Sequence, residues 1–159
     1  MATNTVTTVI LIRHADRDVP PVGTPDDPGP SLSDKGIARS KTLVHVLSTA
    51  GIQAVYTSHF THAKMTAKPF LVAHSDLPTV RLDAATELKD HILTHHAGQT
   101  VLVVGHSNTV PELIKLLGGP SLPIIDDCEF DNLFVLVKHS TAKASVSKLK
   151  YGDPTSAPC

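Results

Sequence analysis

The sequence predicts an α/β fold, a three-layer sandwich with a mainly parallel central sheet and helices on both faces. Three observations carry that reading. Runs such as Val9–Ile12 and Val101–Val104 are apolar from end to end, as strands buried on both sides are. Amphipathic stretches with N-terminal caps and glycine stops alternate with those runs. The last two strand-like segments follow one another with no helix between, which fits an antiparallel pair at the end of the sheet. At 159 residues the chain has the size of one domain, expected to span 1–159.

Thr5–Ile12 is rich in Thr, Val and Ile and reads as the first strand, with His14 just beyond its C-terminal end. Residues 18 to 32 carry Pro20, Pro21, Pro25, Pro28, Pro30 and two glycines, a loop placed to overhang a site. Ser33 then caps a helix whose Ile37, Leu43, Val44 and Leu47 share one face until Gly51 stops it. Ala54–Thr57 is a second strand, followed by a helix from about Phe60 that Pro69 kinks or ends. Thr79–Leu82 is a third strand, residues 86 to 96 a helix closed by Gly98, and Thr100–Val104 the clearest buried strand. A helix begins at Pro111, a residue suited to the first helical position, and runs through Leu117 to Gly118-Gly119. Leu133–Lys138 and Ser145–Lys150 complete the strands.

Charge narrows the partners. The formal net charge is -1 and the 14 Lys and Arg residues are scattered, so the chain lacks the footprint of a nucleic-acid binder. The apolar run Val9–Ile12 ends at Arg13 and is too short for a signal or membrane segment, so no membrane partner is expected. Cytoplasmic residence is the expectation, unless a targeting segment has been trimmed away. Cys128 and Cys159 are too few for a disulfide framework or a zinc finger, and two free thiols are expected over one bridge. Oligomeric state is not legible in the sequence.

Arg13-His14 and Gly105-His106 each follow an apolar strand, so a parallel sheet presents an arginine and two imidazoles in one crevice beyond its carboxyl ends. Such a crevice suits an anion. Arginine offers a permanently charged fork for phosphate oxygens, and neutral imidazole is a competent nucleophile near neutral pH. Phosphoryl transfer follows.

The residues Leu11-Ile12-Arg13-His14-Ala15, Leu32-Ser33-Asp34-Lys35-Gly36, Ser58-His59-Phe60-Thr61-His62-Ala63-Lys64-Met65-Thr66-Ala67 and Val104-Gly105-His106-Ser107-Asn108 together carry a resemblance to a known family. In their order and spacing the chain resembles the histidine phosphatase superfamily, which includes the cofactor-dependent phosphoglycerate mutases, and is similar to its short phosphohistidine phosphatase-type members. The resemblance implies a phosphoglycerate mutase-like fold and a phosphatase acting on phosphomonoesters or protein phosphohistidine. It makes His14 the residue phosphorylated in the intermediate, Arg13 its phosphate clamp and His106 a second donor, with the backbone N–H of Ser107 as a further one. The substrate would be a phosphorylated small molecule or a phosphoprotein, and no metal or organic cofactor is required. Mutase activity is disfavoured, because the Thr and Asn that mutase-type relatives place after the Arg-His pair are replaced by Arg17 and Pro20.

One position departs from the family pattern: His62 stands where an arginine is usual. Histidine lacks the bidentate fork and is largely neutral at pH 7, although a phosphate dianion raises its pKa. Arg17 is the favoured source of the missing charge, with Lys64 as the alternative. Glu87 lies roughly where many relatives carry a catalytic glutamate, so it is the candidate general acid; a first-turn helix carboxylate stabilised by the macrodipole is an equal alternative. Asp126, Asp127, Glu129 and Asp131 read mostly as a solvated turn. His91 and His95 have a spacing that chelates zinc, yet no carboxylate or cysteine completes the set. Two rival readings stay open: a catalytically weak phosphate- or phosphoprotein-binding module, and a zinc site in which His14, His62 and His106 converge.

Overall fold

The computed structural model describes residues 4–18, 29–155 and 158–159. Most of the loop expected over residues 18 to 32 therefore lies outside the described residues. The element order is β1 (Val6–Arg13), α1 (Asp34–Val46), β2 (Ile52–Thr57), α2 (Thr61–Ala73), β3 (Thr79–Arg81), α3 (Ala85–His95), β4 (Thr100–Gly105), α4 (Thr109–Leu116), β5 (Asn132–His139) and β6 (Ser145–Lys150). The strands form one sheet in the order β3-β2-β4-β1-β5-β6. β1, β4, β2 and β3 run parallel, and β5 and β6 are antiparallel, as the sequence pattern predicts. No helix among the described residues is long and apolar enough to cross a membrane.

The period of two along β1 explains its unbroken apolar run. Val9 and Leu11 enter one core layer with Ile92 of α3 and Leu113 of α4, while Ile10 and Ile12 enter the other with Leu43 of α1 and Phe70 of α2. β4 divides in the same way, Val101 and Val103 to the first layer and Leu102 and Val104 to the second. These central strands are buried on both faces, so Val9–Ile12 and Val101–Val104 are apolar at every position. The exposed edge strand β6 instead carries Lys148 and Lys150, which discourage further strand pairing.

Ser33 caps α1 by accepting from the Gly36 N–H (3.2 Å). Gly36 lies against the Asp16 backbone so closely that a Cβ would collide with its carbonyl, which is why this turn needs glycine. A buried Arg39–Asp16 ion pair (2.6 Å) and an Arg39 bond to the Tyr151 carbonyl (2.9 Å) fasten the same loop to α1 and the C-terminal segment.

Three expectations are corrected. α2 does not end at Pro69 but continues to Ala73, because Ala67 and Phe70 are buried in the second layer and their packing outweighs the missing hydrogen bond. α4 begins at Thr109, two residues before Pro111, still within the first turn where the missing N–H has no helical partner to lose. Cys128 and Cys159 form a disulfide, not two free thiols. They are 31 residues apart in sequence, but Thr155 donates to Asp131 (2.7 Å) and returns the C-terminal segment to the turn that carries Cys128.

Candidate functional site

The register of β1 against β4 sets Arg13 opposite Gly105, and the His14 N–H continues the ladder to the Gly105 carbonyl at 2.9 Å. His14 and His106 therefore leave the sheet side by side, with ring centroids 5.4 Å apart. Gly105 permits the turn: a Cβ there would press on Thr109 Oγ1 and Val110 Cγ2. Thr109 Oγ1 accepts the His106 N–H (2.9 Å) and holds the turn into α4.

His14 is 3% exposed. Its Nδ1–H donates to the Ala15 carbonyl at 2.8 Å, which leaves Nε2 unprotonated in the neutral ring. The Ala15 N–H donates to Thr66 Oγ1 (2.9 Å), and that hydroxyl donates to the His62 carbonyl (2.7 Å), so the loop that carries His14 is tied to α2. Burial, reinforced by the charges around it, pushes the His14 pKa down to about 2.

Arg13, the neighbour of His14 in sequence, is buried and borders the same crevice. Its Nη1 donates to the carbonyls of Asp126 (2.8 Å), Asp127 (3.2 Å) and Glu129 (3.2 Å), and its guanidinium lies 4.2 Å above the Phe130 ring. The acidic stretch read as a solvated turn is thus the backbone cradle of Arg13, and Asp131 is itself buried beneath Lys150 and Thr155. Three carbonyls grip one end of the guanidinium, while Nε is buried with no partner among the described residues.

His62 enters the crevice from the first turn of α2. Its Nδ1–H donates to the Pro30 carbonyl (3.2 Å), and its ring lies 4.2 Å from that of His14 and 5.4 Å from that of His106. Burial lowers its pKa, helped by Arg17 and Arg13. His106 pairs through Nε2 with Ser58 Oγ (2.8 Å), and burial with His62 nearby pushes its pKa down to about 4. All three imidazoles are neutral near pH 7.

Arg13, His14, Arg17, His62, His106 and Ser107 line one crevice of about 410 Å³, together with Asp83, Asp127, Phe60, Asn108 and Thr109. Arg17 borders this crevice, whereas Lys64 borders a separate groove with Met65 and Lys68. Glu87 does not reach it. Ala85, Leu88 and Ile92 turn one face of α3 into the core, and Glu87, between them in sequence, is exposed. The carboxylate that borders the crevice on this side is Asp83, which accepts the His59 N–H (3.0 Å) and Nδ1–H (2.6 Å). Burial works against its charge, but those bonds hold the Asp83 carboxyl below its ordinary value, so it stays ionised.

The family model of the histidine phosphatase superfamily (branch 1) matches residues 9–89, just over half of the chain. The chain belongs to this superfamily. Solved structures agree on the fold. The protein histidine phosphatase SixA in complex with tungstate is 18% identical with a TM-score of 0.68, covering 90% of this chain and 96% of its own. Bacillus stearothermophilus YhfR is 17% identical with a TM-score of 0.68, covering 89% and 95%. Phosphoglycerate mutase from Plasmodium falciparum is 15% identical with a TM-score of 0.63, covering 98% and 99%. No curated protein matches the sequence.

This member of the superfamily builds its crevice from five places far apart in sequence: the end of β1 and the loop after it, the start of α2, the β3–α3 turn, the end of β4 and the turn before β5. Reading the sequence missed Asp83, Phe60 and the Asp126–Glu129 carbonyls. Asp83 had a signal, since it follows a strand end as His14 and His106 do. The carbonyl cradle had none, because backbone groups are the same in every residue.

Proposed function

We propose that the protein is a phosphatase that hydrolyses phosphomonoesters or protein phosphohistidine through a covalent phosphohistidine on His14. The observation that carries the proposal is the His14 Nδ1–H bond to the Ala15 carbonyl, beside Arg13 and across from His106. It fixes the tautomer in which Nε2 keeps its lone pair, and burial keeps that lone pair unprotonated.

In the first step Nε2 attacks phosphorus as the bond to the leaving group breaks, and the leaving group departs with the electron pair. Arg13 and Arg17 offset the charge on the phosphoryl oxygens, and His106 and the Ser107 backbone N–H donate to them. The orphan Nε–H of Arg13 is a donor that a bound oxyanion satisfies. Water then attacks phosphorus, breaks the N–P bond and releases phosphate, restoring neutral His14.

The carboxylates favour one substrate class. Glu87 is outside the crevice and Asp83 is ionised, so neither of these two carboxyl groups stands ready to protonate an alkoxide. An imidazole leaving group needs less help than an alkoxide, which favours protein phosphohistidine. The name of the similar protein histidine phosphatase SixA points the same way.

The test is hydrolysis of p-nitrophenyl phosphate and of a phosphohistidine peptide, with His14→Ala as control. Turnover in the parent protein, acid-labile label on His14 and neither in the variant support the reading. Equal turnover in both proteins overturns it. Phosphate binding without turnover makes the chain a binding module, the reading that the loss of the family arginine at His62 favours.

A further inference from the structure

We propose that His14, His62 and His106 form a zinc site and that zinc bound there closes the crevice to phosphate. The site is distinct from the phosphatase reading; only its inhibitory consequence rests on that reading. One ring nitrogen from each residue lies within 4.8 Å of the other two. Zinc at its usual nitrogen distance of about 2.0–2.1 Å spaces tetrahedral ligands roughly 3.4 Å apart, so small ring rotations close the gap.

The surroundings of the rings match those of metal-bound imidazoles. A ligating histidine characteristically donates its other N–H to a carbonyl or carboxylate, which fixes the tautomer and aims the lone pair. His14 does so to Ala15 and His62 to Pro30. His106 is held by Ser58, whose hydroxyl both donates and accepts and so serves either tautomer. Three imidazoles from three elements leave the fourth position of a tetrahedral zinc facing the crevice. The charges there are mixed. Asp83 and Asp127 favour a cation, while Arg13 and Arg17 oppose it and draw an anion to the fourth position.

His62 decides the matter. An arginine at this position supplies no lone pair and adds a positive charge beside the other two rings. The substitution that weakens the phosphate pocket is therefore the one that completes a nitrogen set. Among the other histidines, His91 Nδ1 pairs with the Tyr56 hydroxyl and His96 donates to Gln99, and both share one helix end with His95.

The test is calorimetric titration of the chelator-stripped full chain with zinc chloride, with cobalt(II) absorption to report tetrahedral coordination. One ion per chain is expected, with affinity at least tenfold weaker in His62→Arg and His62→Gln and unchanged in His95→Ala. Circular dichroism of each variant checks the fold. No saturable binding by the parent protein overturns the site, as does undiminished binding by folded His62→Gln. Zinc should suppress hydrolysis in the parent and spare His62→Arg. Zinc binding by a protein with no hydrolysis in zinc-free buffer removes the phosphatase reading and leaves the site standing; hydrolysis without zinc binding does the reverse.

Discussion

Two groups of three histidines stand in this protein, and they behave differently. His14, His62 and His106 come from the end of a strand, the start of a helix and the end of the neighbouring strand, and they meet in one crevice. His91, His95 and His96 sit at one end of α3, where His95 is exposed and the rings of His91 and His95 lie 4.2 Å apart. The first group is sheltered, with pKa values pushed well down, and two of its rings are fixed by backbone carbonyls. In the second, His91 and His96 bond to the side chains of Tyr56 and Gln99. Proximity in sequence placed three imidazoles close together on the helix; only the crevice combines burial, a fixed tautomer and a neighbouring arginine, and those are what imidazole chemistry needs.

The largest expected effect separates the two groups by activity. His14→Ala should lower phosphate ester hydrolysis by at least about a thousandfold, since a nucleophile cannot be replaced by binding alone. His95→Ala should stay within about twofold in the same assay. Comparable losses in the two variants would erase the distinction.

Arg13→Lys comes next. It keeps the charge but loses the fork that engages three carbonyls and stacks on Phe130, so kcat should fall about a hundredfold. Steady-state kinetics at saturating substrate provides the check, and an unchanged kcat would remove Arg13 from the reacting centre.

Acid should reveal the burial of the first group. A histidine whose folded pKa is about 2 and whose ordinary value is 6.5 takes up a proton only in the unfolded chain between those pH values. His14 therefore contributes stability that is complete above about pH 6.5 and is lost as pH falls toward 2. The slope is at most about 1.4 kcal/mol per pH unit, or about 2 kcal/mol by pH 5. Urea unfolding of the parent and of His14→Asn across this range measures it, and the variant should show a shallower dependence. His95→Ala should keep the parent slope.

The smallest effect sharpens the role of His62. In the free protein its pKa is lowered, chiefly by burial, so a phosphate dianion that raises it makes binding take up a proton. Phosphate affinity should then decline as pH rises from about 6 to about 8. His62→Arg, always charged, should flatten that decline and raise activity severalfold at about pH 8. A folded variant that loses activity would show that His62 does more than occupy the arginine position.

Much of the fold was legible because its signals are local. The apolar runs of β1 and β4 mark strands buried on both faces, Ser33 marks the start of α1, and Gly51 and Gly98 mark turns that need positive φ. The misplaced boundaries are those where tertiary packing overrides a local breaker, as Phe70 does for Pro69. The site divides in the same way. Arg13, His14 and His106 are legible from strand ends, whereas the crevice presents Asp83 in place of Glu87, because four residues along the chain carry the second carboxylate onto the exposed face of α3.

From residue pattern alone came the α/β alternation, the placing of Arg13-His14 and Gly105-His106 at the ends of two apolar strands, and the departure at His62. These follow from the periods of strand and helix and from residue identity, which act over a few neighbours. Tertiary structure decided that Arg17 and not Lys64 borders the crevice, that the carbonyls of Asp126–Glu129 grip Arg13, that Cys128 bonds to Cys159, and that His62 meets His14 and His106. Each of these joins chain segments that share no local pattern, and only the packing of helices against the sheet sets the distances between them.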